Sequence, residues 1–246
     1  MTAALAAIGR AAVARKARFS IVVPVLNEAR GIVAFLASLQ AWRTQGHEVV
    51  LVDGGSTDRT VELAQPYVDQ LIVSAPGRAH QMNQGAGVSR GQVLIFLHAD
   101  TLLPSAAMSH LQQIARESPR SWGRFDVRLS GTHWLLRVVE SLMNLRSRLS
   151  GIATGDQAIF VAREIFEAIG GFPPLPLMED IALSARLRRL HRPHCLRLRV
   201  TTSSRRWEQA GILRTIVRMW WIRWRYFWGV DAARLAAHYR AVREVE

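Results

Sequence analysis

Three polar clusters each close an apolar run, and each carries a group able to meet a phosphate or a cation. Asn27-Glu28 follows FSIVVPV (19–25), Asp53-Gly54-Gly55-Ser56 closes EVVLVD (48–53), and His98-Ala99-Asp100 closes QVLIFLH (92–98). Ligands of open α/β sheets bind beyond the carboxyl ends of the strands, so three such ends make a candidate site. Side chains two residues apart at a strand end can point to the same side. Asp100 could hold a hard divalent cation there, with phosphate and water oxygens completing its shell. His98 would be a second, softer ligand or a donor to phosphate. Each cluster also has a plain structural reading: an Asp after a strand commonly caps a turn, and His98 could simply end a buried strand. Glu179-Asp180 opens a helical stretch. The pair either offsets the positive end of the helix dipole or supplies a carboxylate that accepts a proton. No G-x-G-x-x-G follows the first apolar run and no Walker loop is present.

The elements that must position these groups alternate in type. Apolar, β-branched runs at 19–25, 48–53, 70–74 and 92–98 read as strands, separated by helical spacing over 28–42, 60–64 and 80–89. Continuous apolar strands between helices predict a mostly parallel central sheet covered on both faces, an α/β fold. The second half is less regular. Strands are expected at 122–129, 156–161 and about 195–200, and helices at 133–149, 163–169 and 179–190. Gly170-Gly171 ends one helix, and Pro173, Pro174 and Pro176 mark a loop. Two helical stretches finish the chain.

At 246 residues and 49% apolar, the chain can bury a sizeable core, which excludes a disordered protein. Cys195 is the single cysteine, which excludes a disulfide scaffold and suits a reducing compartment. The net charge of +13 is uneven: residues 186–246 hold 15 arginines against 4 acids. A basic C-terminal quarter on a near-neutral body points to an anionic partner, either lipid or nucleic acid, or else to solvated helix faces. No stretch approaches the roughly 20 apolar residues that span a membrane. The apolar run near the N-terminus is too short for a signal peptide, so residues 1–18 read as a basic extension. In Ile212–Trp228, Arg214, Arg218 and Arg225 share one helical face and Ile212, Ile216, Trp220 and Phe227 the other. Five tryptophans lie in or beside it: Trp207, Trp220, Trp221, Trp224 and Trp228. The segment is either a helix lying in a membrane interface or one packed on the body with its tryptophans as core. Nucleic acid is disfavoured, because no recognised reader motif is present.

VVPVLNEA, VDGGSTDRT, GRAHQMNQGA, LIFLHADT, IFVAREIFEAIGGF and MEDIALSARLRR, in that order over Phe19 to about Arg189, resemble family 2 glycosyltransferases of the GT-A fold. The bacterial radical-SAM/selenodomain-associated subgroup is similar also at SSRRWEQAG and WWIRWRYFWGV. The resemblance implies a GT-A catalytic domain over 19–203 and a basic, Trp-rich helical segment over 204–246. It implies an inverting, metal-dependent enzyme that moves a sugar from a nucleotide-diphosphate sugar to a hydroxyl acceptor, lipid or lipid-linked. Pro24, Asn27, Glu28, Asp53 and Gly54 would line the nucleotide pocket, with Asp53 accepting from a uracil or guanine ring and Glu28 near the ribose. Arg78 would approach the base or diphosphate, and Arg206 would close over the diphosphate. Asp100 would bind Mg²⁺ or Mn²⁺, with His98 where the family pattern has its first Asp. Asp180 would be the base with Glu179 beside it, and Asp156 and Gln157 would build the acceptor side. The expected location is cytoplasmic, peripheral on the inner face of the plasma membrane through contact with anionic lipid. The alternatives are a nucleotidyltransferase-like enzyme, disfavoured because Leu26-Asn27-Glu28-Ala29 is not a Gly-rich basic loop, and a catalytically silent basic membrane-binding module.

Overall fold

The computed structural model describes residues 18–244, apart from the side chains of Arg206 and of residues 240–244. Most of the expected N-terminal extension, residues 1–17, lies outside the described residues.

The first half builds as its pattern predicts. Strands β1 (Phe19–Val25), β2 (Glu48–Asp53), β3 (Gln70–Val73) and β4 (Val93–Phe96) pair in parallel in the order β3-β2-β1-β4. Between them run α1 (Ile32–Ser38), α2 (Gln40–Thr44), α3 (Thr60–Ala64) and α4 (Arg78–Val88). The helix expected over 28–42 is two, divided at Leu39. Pro24 is tolerated inside a central strand because pairing of β1 with β4 ends at Val22–Phe96, so no partner waits for its missing N–H.

The second half adds β5 (Thr101–Leu102), α5 (Ala107–Glu117), β6 (Trp122–Leu129), α6 (Trp134–Ser150), β7 (Ile159–Ala162), α7 (Arg163–Ala168), α8 (Glu179–Leu190) and β8 (His194–Thr202). Helices α9 (Arg205–Gln209), α10 (Ile212–Phe227) and α11 (Ala232–Glu244) follow. The eight strands form one sheet, β3-β2-β1-β4-β7-β6-β8-β5. Here β7 runs antiparallel to β4, β6 antiparallel to β7, and β6 parallel to β8. Three features depart from expectation. Residues 155–157 form a 3-10 turn rather than the start of a strand, β5 and α5 arise in a stretch without a clear pattern, and among the described residues three helices end the chain where two were expected. The sheet is mostly parallel as expected, with antiparallel pairings added by the second-half strands.

Alternate residues of β1 feed two apolar layers, as a period of two requires. Ile21 and Val23 pack with α1, α5 and α6 on one face, and Val22 packs with α4, α7 and α8 on the other. Helix α4 lies unusually close to the sheet. A Cβ on Gly85 would stand 2.5 Å from Val22 Cγ1 and 2.8 Å from Val52 Cγ2, so only glycine fits. That approach sets α4 over the carboxyl ends of β1 and β2. A third cluster, Met178, Ile222 and Leu235, ties α10 and α11 to the start of α8.

Candidate active site

The loops after β1 and β2 are clasped to each other. Asn27 takes the left-handed conformation at φ 55°, which Asn tolerates better than most side chains. Its N–H donates to Ser56 Oγ at 2.9 Å, and its Oδ1 accepts from the Thr57 N–H at 2.9 Å. Asp53 is buried, and its Oδ2 accepts from the N–H groups of Gly55 (3.0 Å) and Ser56 (2.9 Å). The Ser56 hydroxyl donates to Oδ1. The carboxylate expected to accept from a base ring is therefore engaged by its own loop, because a strand-end Asp finds backbone donors two and three residues on. Gly54 donates its N–H to the Val25 carbonyl at 2.9 Å. The Glu28 N–H donates to Thr60 Oγ1 at 2.8 Å. Pro24 is partly exposed. Asp58 accepts from the Ala29 N–H at 3.1 Å, and the Thr60 hydroxyl beside it holds its carboxyl below the usual range.

Gln81 was not singled out in the sequence, yet it holds this corner together. Its buried Nε2 donates to the carbonyls of Val25 (3.0 Å) and Val52 (2.8 Å), fastening the ends of β1 and β2 to α4. Its only sequence signal is position, one turn after Arg78. The Arg78 side chain is exposed at the start of α4.

The end of β4 and the start of α8 meet across Gly155. A Cβ there would lie 2.6 Å from His98 Nε2 and 3.8 Å from Asp180 Oδ2, so the glycine is what lets the two groups approach. The Gly155 N–H donates to Asp180 Oδ2 at 2.8 Å. His98 Nδ1 stands 3.5 Å from Asp156 Oδ1. Asp100 is exposed; its Oδ1 accepts from the Thr101 hydroxyl at 3.3 Å, and its carbonyl accepts from the Ser203 N–H at 3.2 Å. His98, Asp156, Glu179 and Asp180 thus come from three separate stretches into one place. Gln157 is fully buried; its Oε1 accepts from the Thr154 N–H at 3.2 Å, closing the 3-10 turn in a capping box, and its Nε2 donates to Asn144 Oδ1 at 3.5 Å. Asp156 beside it is half-exposed. The side chain of Arg206 lies outside the described residues.

Burial, and next the charge of Asp180, push the Glu179 carboxyl above its ordinary range, while Arg78 and His98 pull the other way. The preceding Met178 is buried with φ 67°, a left-handed strain at the mouth of α8. Since the fold favours neutral Glu179, ionising it costs stability above the unfolded value of 4.5. Glu179→Gln should therefore melt higher than the parent chain at neutral pH. The gap should close as pH falls through that value, where the acid is protonated in both states. A melting series over pH checks this.

Two groups from unexpected elements complete the surroundings. Arg146 of α6 lies close enough to Asp180 for the carboxylate to act on it, and burial with the charges of Arg223 and Arg124 pulls its guanidinium down to about 10. Tyr226 of α10 is raised by burial and then by Asp180. Among the described residues, no three His, Cys, Asp or Glu side chains gather into a metal cluster. Asp100 offers one exposed carboxylate, and His98 turns a ring nitrogen to Asp156. That donor set fits a cation held jointly with a diphosphate and water, not one caged by protein alone.

A parallel four-stranded half, continued by a half of mixed parallel and antiparallel strands with polar groups at the strand ends, is the GT-A glycosyltransferase fold. The chain belongs to glycosyl transferase family 2, whose profile matches residues 20–168. It is 31% identical over 165 residues to the PGL/p-HBAD biosynthesis glycosyltransferase of Mycobacterium tuberculosis, covering 63% of this chain and 62% of that relative's length. Solved structures share the fold, among them two with bound nucleotide sugars. Staphylococcus aureus TarS 1–349 in complex with UDP-GlcNAc has a TM-score of 0.61 at 19% identity, covering 76% of this chain and 58% of that one. The mannosyltransferase PcManGT of Pyrobaculum calidifontis, in complex with GDP-Man and Mn²⁺, has a TM-score of 0.59 at 21% identity, covering 76% and 57%.

Proposed function

We propose that this chain transfers a sugar from a nucleoside-diphosphate sugar to an acceptor hydroxyl with inversion at the anomeric carbon, and that Asp180 takes the acceptor proton. The observation that carries the reading is the meeting of Asp180 with the His98–Asp100 strand end across Gly155. The hydroxyl oxygen attacks the anomeric carbon as the bond to the diphosphate oxygen breaks. The nucleoside diphosphate leaves with the electron pair, and the proton passes to a carboxylate oxygen of Asp180. Backbone N–H groups hold both oxygens of Asp180, Gly155 at Oδ2 (2.8 Å) and Ile181 at Oδ1 (2.7 Å), which fixes the carboxylate while each oxygen keeps a lone pair able to take a proton. Glu179, whose carboxyl is pushed upward by burial and by the charge of Asp180, stands beside that base at the start of α8. The clasped loops after β1 and β2 hold the nucleotide, with Asp53 shaping the loop from within and Arg78 at the diphosphate side. Asp100 would hold Mg²⁺ or Mn²⁺ together with the diphosphate, and a cation there neutralises charge on the leaving group. Residues 19–203 are the catalytic unit in this reading, and 204–246 its basic attachment.

Thermal melting with UDP, GDP and their hexose conjugates, with and without Mn²⁺ or Mg²⁺, tests the donor site. One base should raise the melting temperature in a metal-dependent way, and a ligand at 100 times its Kd adds about 2.7 kcal/mol. No shift with any of them at millimolar concentration removes the donor-site reading.

A further inference from the structure

Helices α6 and α10 are apolar on two sides. Their inner sides, Leu136, Val139 and Met143 on α6 and Ile212 and Ile216 on α10, pack against the same core layer. The two helices run side by side in one direction. Their first turns share a groove lined by His133, Leu135, Ile212 and Leu213, and further along both, Arg146 and Arg223 lie near each other. Each outer side carries an exposed apolar stripe at helical spacing. On α6 it is Trp134, Val138, Leu142, Leu145 and Leu149, the last 79% exposed. On α10 it is Leu213, Val217, Trp220, Trp224 and Phe227, the last 87% exposed. The single apolar face read from the α10 sequence is thus divided. Ile212 and Ile216 turn inward, while Trp220 and Phe227 join a stripe that faces out. Contiguous apolar surface of this extent on a chain with a packed core marks a contact site.

Charge selects the occupant. Residues 186–246 carry 15 arginines against 4 acids, so a second copy of this chain would bring like charges together. An anionic bilayer surface would gain from them, and tryptophan with arginine on a helix that cannot span suits the interfacial plane. No helix among the described residues is long and apolar enough to cross a membrane.

The edge of this face nearest Asp180 has a second property. Arg146 and Arg223 lie about 80–90° around their helices from the stripe centres, at about 100° per residue. The Nε and Nη2 of Arg146 and the Nε of Arg223 are buried with no hydrogen-bond partner. Neighbouring Arg124, whose Nε also lacks a partner, pairs through Nη1 with Asp126, and that carboxylate also accepts from Arg148 at 2.8 Å, so it does not serve Arg146. Buried guanidinium donors without acceptors are costly, and an oxyanion would both satisfy them and relieve their mutual repulsion.

We infer that the outer faces of α6 and α10 seat the protein on an anionic lipid surface, and that Arg146 and Arg223 receive the phosphate of an amphiphilic acceptor beside Asp180. The inference rests on Asp180 lying at the acceptor side, and it makes the acceptor a phosphate-bearing lipid.

Cosedimentation of the full chain with vesicles tests the seat. The parent chain should pellet with phosphatidylglycerol vesicles at low salt, less at high salt, and weakly with pure phosphatidylcholine. Leu142→Gln/Leu145→Gln on α6 and Val217→Gln/Trp220→Gln on α10 change exposed positions and should each lower binding about tenfold or more. For the phosphate, decyl phosphate below its micellar concentration should raise the melting temperature of the parent chain, while decanol and inorganic phosphate should not. Arg146→Gln/Arg223→Gln should abolish that rise. The proposal is overturned if the chain stays in the supernatant with anionic vesicles at low salt. It is equally overturned if the stripe variants bind like the parent chain or instead break a concentration-dependent dimer. Equal stabilisation by inorganic phosphate would make the pair a free-phosphate site and overturn the lipid acceptor. Stabilisation by UDP or GDP without lipid reads the donor site separately, so loss of one leaves the other standing.

Discussion

Asp180→Asn should lower turnover by about 10²–10⁴-fold while donor binding stays within a few-fold of the parent chain. The asparagine oxygen can still accept from the Gly155 N–H, the contact that Asp180 Oδ2 makes at 2.8 Å, so the 154–157 turn should survive. What is lost is an atom that can take a proton. The effect should therefore fall on kcat and leave the donor KM nearly alone, as expected for an interaction made only as the hydroxyl attacks. A second readout separates this from damage to the fold. Asp180 is one of the charges that push the Glu179 carboxyl upward, so its neutralisation should move Glu179 back toward its ordinary value. The advantage that Glu179→Gln gives to thermal stability at neutral pH should shrink in the Asp180→Asn background. Unchanged turnover in Asp180→Asn would take the residue out of the chemistry and leave it as a first-turn acid of α8.

Asp100→Ala should remove the metal dependence of nucleotide binding, with a loss of donor affinity of about 10–100-fold at fixed metal concentration. The change is clean in structural terms. Asp100 is exposed, its carboxylate has, among the described residues, a single 3.3 Å hydrogen bond from the Thr101 hydroxyl, and its backbone carbonyl, which accepts from Ser203, is untouched. The melting temperature of the free chain should hardly move. Titration of Mn²⁺ against the variant in the presence of UDP or GDP measures the effect. If the metal still strengthens nucleotide binding, the carboxylate that matters is another one at this end of the sheet, and Asp156, half-exposed against His98, becomes the residue to replace.

Much of the first half was legible before folding because local pattern and global role agree there. Strands buried on both faces read as unbroken apolar runs, and the polar residues that close them must stand at one edge of a parallel sheet. Asp53 was legible as a strand-end carboxylate, but not the direction it faces. That depends on which donors the folded loop brings to it, and the N–H groups of Gly55 and Ser56 lie within 3.0 Å. The burial of Gln157 was hidden for the same reason: its residue type reads alike whether it faces a cleft or its own turn. Beyond the position of Gln81 one turn after Arg78, Gln81 and Arg146 carried no signal, since a polar residue on a helix looks alike in sequence whether it faces solvent or the ends of two strands.

The sequence by itself determined the fold family, the α/β order and the strand ends at which chemistry could occur, because those rest on short-range periodicity and residue type. Tertiary structure alone decided which distant groups meet. Gly155 brings Asp180 to His98 only because β4 and α8 converge, and two helices more than sixty residues apart in the chain join their apolar outer sides and their arginines into one face. Such juxtapositions are set by packing across the core, where each helix has two apolar sides and only the neighbours decide which one is left to meet a partner.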